Sequence, residues 1–184
     1  MRGSSGSAPC VLLAIAVGSL TLSAHAEDAE ERERLEILVT AAPSLPETAR
    51  ASMMNETAAI WRNHGVAIDW LPAAAVRPVS FNRLRVLVVE RRQSASSPGQ
   101  PFTVGELVRP SNGDAMAIMS IDSARRLMAS VRGRAGYDLA AVDHRRLGLV
   151  LGRGLAHEIG HYLLETHTHA RHGLMRPQFD ALEF

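Results

Sequence analysis

The sequence predicts a single α+β domain: a small mixed sheet, a long helix before its second strand, and a helix near the C-terminus. Three observations predict it. Short apolar runs at 35–40, 66–71, 84–90 and 115–121 read as strands. Helical spacing fills 46–64, between the first two runs. A second helical stretch is best defined over 147–164. The chain has 184 residues, 46% of them hydrophobic, enough to bury one core.

Residues 27–34 form a charge run that solvates well. The first strand follows at Leu35 to Thr40. Pro43 and Pro46 end it, and Ser44-x-x-Glu47 has the spacing of a helix cap. Ala49, Met53, Met54, Thr57, Ile60 and Trp61 then recur at helical intervals, and Gly65 is a natural stop. Val66, Ile68 and Trp70 alternate along the second strand, and Leu84 to Glu90 is apolar enough to lie centrally. Residues 91–101 are a loop by composition. Asn112-Gly113-Asp114 turns into the strand at Ala115–Ile121. Asp122 or Ser123 can cap a short helix over 124–131, which Gly133 and Gly136 should break. From about Asp138 the chain turns helical again, although Gly148, Gly152, Gly154 and Gly160 lower its propensity. The tail from 165 to 184 reads as irregular.

Several chemistries are excluded by composition. The formal net charge is +1, and charged residues make up 21%, so a basic nucleic-acid binder is not expected. All 20 basic residues are arginine, which removes lysine Schiff bases and the lysine of a phosphate-binding loop. Cys10 is the one cysteine, so neither a disulfide framework nor a cysteine-based zinc finger can form within the chain.

Cys10 also belongs to a leader. Residues 8–24 are apolar or small and lead into Ala24-His25-Ala26. That pattern predicts a signal peptide over 1–26, cleaved after Ala26, and a mature domain over 27–184. The leader carries one arginine and no acid, leaving 19 arginines against 19 acids and no cysteine. Such a chain suits an oxidising compartment. Its expected location is the periplasm or the exterior, with no stable membrane association after cleavage, and as a monomer.

Five of the eight histidines lie between His157 and His172. His157-Glu158-Ile159-Gly160-His161 is HExxH in a helical context. Residues four apart share a helix face, so both imidazoles can reach one ion. Glu158 sits about 100° around the helix. It can stand beside the metal without ligating it and act as general base. This is the zinc metalloprotease motif. A third ligand must come from His, Asp or Glu. The pattern HExxHxxGxxH places it at His167, although Leu164 stands where that pattern has glycine. His169 competes, four residues before Gly173-Leu174-Met175. His144 and His172 read as surface residues, and Tyr162 as packing. A substrate peptide would add to an edge strand, for which Ala115–Ile121 is the candidate.

The stretch AHEIGHYLLETHTHARHGLMRPQF (156–179) resembles the C-terminal core of small exported bacterial metzincin-like proteins. Their pattern is HEIGH-LLL-G…H…G-[IL]-M-R. AAIWRNHGVAIDWL (58–71) is similar to their helix-then-strand entry, IW-x-x-x-GV-x-I-x-W. The resemblance implies a metzincin-like fold, Zn²⁺ as cofactor, and Met175 in a turn beneath the metal. It also implies that distance to that turn sets the third histidine, which favours His169 over His167. Glu165 stands where their pattern has glycine. The function expected is hydrolysis of peptide or protein substrates by a zinc metalloendopeptidase, with Glu158 as general base. The alternatives are an exported zinc-binding protein without turnover, or a degenerate peptidase, and a structural site in which zinc staples the tail through His167 and His169 together.

Overall fold

The computed structural model describes residues 33–72, 82–90, 103–111, 114–135 and 143–177. The expected leader, the charge run before Glu33, the loop at 91–101 and the chain beyond Pro177 lie outside the described residues. Contacts group residues 31–184 as one unit. Its elements are β1 (Glu33–Ala41), α1 (Glu47–Arg62), β2 (Val66–Pro72), β3 (Arg83–Val89), β4 (Gly105–Val108), β5 (Ala115–Ser120), α2 (Ile121–Ala135) and α3 (Asp143–Leu163). This is a mixed α/β domain with a five-stranded mixed sheet and a C-terminal helix. Among the described residues no helix is long and apolar enough to cross a membrane.

The sheet order is β2-β1-β3-β5-β4. Four strands are parallel, and β4 runs antiparallel against β5. The sequence pattern does not mark β4. Its four residues are too few to show alternation, and Gly105 weakens the pattern. It displaces the expected edge strand: β5 is hydrogen-bonded on both sides, and β4 forms the edge.

One face of the sheet builds the core. Register aligns Leu35 with Ile68, Ile37 with Leu84 and Trp70, and Val86 with Ala117. Leu35, Ile37, Leu84, Val86, Val88, Ala117 and Met119 are buried here together with Met53 of α1 and Leu151, Leu155 and Ile159 of α3. The helices also pack directly on each other, and the glycines of α3 explain how. A Cβ at Gly148 would collide with the Ala49 carbonyl oxygen, and one at Gly152 would sit 2.8 Å from Met53 O. Bare backbone lets α1 approach so closely that Thr57 Oγ1 lies 3.0 Å from Gly152 O. One turn on, Trp61 Nε1 donates to Ala156 O at 3.2 Å. Arg153 and Glu56 close the crossing at 2.8 Å. The lost helix propensity is offset by this contact.

Three local expectations change. No capping box forms on α1, whose N-cap is Pro46. Ser44 instead bonds Glu90, and Glu47 pairs with Arg50 at 2.7 Å. Helix α2 starts directly after β5, and Ser120 Oγ accepts from Ser123 N at 3.2 Å, so the cap is Ser120 and neither Asp122 nor Ser123. It runs through Gly133 without a break. Gly65 does turn the chain into β2, with φ of 77°.

Candidate metal centre

The last two turns of α3 carry His157, Glu158 and His161, all three buried. Their helix is fixed from behind by Leu155 and Ile159 in the core and by the crossing with α1. The two imidazoles stand edge to face, with centroids 4.6 Å apart and Nε2 atoms 3.0 Å apart.

The segment after the helix completes the group. The chain leaves α3 through Leu164 and Glu165, where φ is +49°. Glu165 thus takes the left-handed conformation in the position where the resembled pattern has glycine. Beyond it, His169 comes back over the pair. Its ring stacks on His157 at 5.2 Å and meets His161 edge-on at 5.0 Å. One nitrogen from each of His157, His161 and His169 lies within 4.8 Å of the others. His167 is exposed, with its ring centroid 6.3 Å from that of His161, and it is not in the group.

Backbone carbonyls orient the helical pair. His157 Nδ1 donates to Leu174 O at 2.8 Å, and His161 Nδ1 donates to Thr166 O at 2.7 Å. A histidine whose Nδ1 carries the proton presents a bare lone pair at Nε2. Both Nε2 lone pairs therefore face each other at 3.0 Å. Burial also pushes both histidines below their ordinary pKa, which favours the neutral imidazole. Two neutral acceptors this close repel unless a cation lies between them.

A metal ion fits these residues. Tetrahedral Zn–N bonds of about 2.0–2.1 Å place ligand nitrogens roughly 3.3 Å apart, against 3.0 Å between the helical pair and no more than 4.8 Å among the three. Imidazole donors held by carbonyl partners are the usual surroundings of such an ion. Met175 packs against α3 so tightly that a Cβ at Gly160 would collide with its sulfur. Ala170 N donates to Met175 O at 2.8 Å and closes this turn.

Glu158 faces the sheet edge. A Cβ on Gly105 would sit 2.9 Å from Glu158 Cγ, so the β4 backbone passes directly over the carboxylate side chain. Tyr162 packs as expected, with its hydroxyl donating to Arg83 O at 3.3 Å and its pKa raised by burial. Thr166 and Leu174 act through main-chain carbonyls, which no sequence pattern marks. Gly105 had a signal, since a glycine inside a strand often marks a close approach.

The chain matches no family model, no curated protein and no solved structure. The centre therefore stands on its own geometry.

Proposed function

We propose that the chain is an exported, metzincin-like zinc metalloendopeptidase. The observation that carries this reading is the histidine triad with Glu158 beside it on the same helix. His157, His161 and His169 would hold the ion. When bound, zinc polarises the scissile carbonyl and lowers the pKa of a coordinated water to about 7.

The chain's own residues do the rest. Glu158 takes a proton on its carboxylate and delivers it to the leaving amine nitrogen. The Leu174 and Thr166 carbonyls hold both helical imidazoles in one tautomer. Strand β4 pairs on one side with β5, and among the described residues no strand covers its other side. An extended peptide adding there would run past Glu158, which lies under Gly105.

A zinc carrier or a structural staple would recruit a fourth protein ligand. His167, the other candidate ligand, has its ring 6.3 Å from His161, against 4.6 to 5.2 Å among the three grouped rings. That spacing favours three protein ligands, the number found in catalytic sites.

The test is cleavage of an unfolded protein substrate by the zinc-loaded enzyme. A chelator should stop it and added zinc restore it. Glu158→Gln should retain one zinc and lose activity by about 10²–10⁴-fold. Full activity in that variant, or zinc binding with no cleavage by the wild type, would overturn the reading.

A further inference from the structure

An α-helix leaves its last carbonyls without intrahelical partners. In α3, Gly160 O is satisfied by Leu164 N at 2.9 Å. The next two carbonyls are served from outside the helix. Arg109 Nη2 donates to His161 O at 2.9 Å and to Tyr162 O at 3.0 Å. Its guanidinium also lies 5.8 Å from the centre of the Tyr162 ring. Arg109 follows β4 directly. A cation at a helix C-terminus is favourable in itself, and this one is delivered by the edge strand.

Arg109 acts next to a strained exit. Glu165 adopts φ of +49°, a conformation L-residues with side chains rarely hold. One residue later, Thr166 O accepts the His161 Nδ1 proton. His161 is thus held twice, by its main-chain oxygen from Arg109 and by its ring from Thr166. The strained exit lies between these two holds. A helix with glycine at the exit could close its carbonyls by its own turn. Here the sheet edge supplies that closure.

The geometry points to Arg109 as a positioning residue for the metal centre: it clamps the final turn of α3 so that His161 stays aligned with His157 and His169. Its contacts are the His161 and Tyr162 carbonyls and the Tyr162 ring. This role rests on the zinc-site reading and adds to it a residue outside the motif. It also ties two parts of the site together, since the strand beside Glu158 and the turn bearing His161 are joined through one side chain.

The test is zinc affinity by chelator competition, with apo-protein melting recorded beside it. Arg109→Gln should weaken zinc binding about tenfold, the scale of losing a partner that orients a ligand. Its apo melting point should stay near the wild type, because the clamp lies at a helix end outside the core. Arg109→Lys, which keeps the charge and a donor, should recover part of the affinity. Glu165→Gly in the Arg109→Gln background should recover more, since it relieves the strain that the clamp opposes. Unchanged zinc affinity in Arg109→Gln would overturn the proposal. So would a loss of affinity that tracks a matching loss of apo stability and is not rescued by Glu165→Gly. A wild type that binds no zinc would overturn the site reading itself, and is seen before any variant is compared.

Discussion

The two halves of the candidate metal centre are built differently. His157 and His161 sit on a buried helix locked against α1 and the sheet. His169 sits on the exposed segment after Glu165, and its ring contacts are with the other two histidines. The helical half is placed by core packing, so it is in position before any ion arrives. The loop half is placed by a few backbone bonds, from Ala170 N to Met175 O and from the two imidazoles to Thr166 and Leu174. A change to the packing of the first half should therefore cost the whole fold, and the loss of a contact in the second should cost the site alone.

The largest expected effect breaks the helical half at its crossing. Gly148→Ala places a methyl against the Ala49 carbonyl and Ser52 Cβ. Alanine gains about 1 kcal/mol in helix propensity. Overpacking costs about 1–3 kcal/mol, and an obstruction made of backbone lies at the upper end. We expect a net loss of about 2 kcal/mol in chemical denaturation, with zinc affinity of the folded protein nearly unchanged. A stabilised variant would show that the helices do not cross as closely as described.

The next change acts on the loop half. Glu165→Gly relieves a left-handed residue, a relief of about 1 kcal/mol. The protein should melt higher, and zinc affinity should hold or rise. A lower melting point would mean that the Glu165 side chain contributes more than its backbone costs.

Acid sharpens the contrast with a smaller effect. Burial lowers the pKa of His157 and His161 in the folded state. The unfolded chain protonates near the ordinary histidine value of about 6.5 and binds more protons than the folded one below it. The stability contributed by neutral imidazoles is thus full above that pH and is lost as pH falls through the lowered folded values. Denaturation midpoints of the metal-free protein should be flat above about pH 6.5 and decline below it. A rise on acidification would contradict the assigned burial.

The sequence shows the helical half plainly and the loop half only in outline. His157, Glu158 and His161 are legible because one helical period brings residues four apart together. Strands β1, β2, β3 and β5 are legible as apolar runs. The four glycines of α3 are visible but look like weaknesses, because a close helix crossing depends on a partner distant in the chain. The loss of the Ser44–Glu47 cap has the same cause, since Ser44 turns to Glu90, which is remote in sequence. Strand β4 is too short to declare itself, and its place at the edge comes from pairing with β5. The choice between His167 and His169 depends on a turn made by a glutamate with positive φ, which no residue preference predicts. Arg109 carries no signal, because its targets are main-chain oxygens.

The most direct test of the central claim is zinc-edge X-ray absorption on the wild type and on His169→Ala and His167→Ala. The wild type and His167→Ala should show three imidazole nitrogens at about 2.0–2.1 Å and one further light ligand. His169→Ala should lose one imidazole and bind zinc more weakly. Four imidazoles in the wild type, or a ligand lost from His167→Ala while His169→Ala keeps three, would contradict the account.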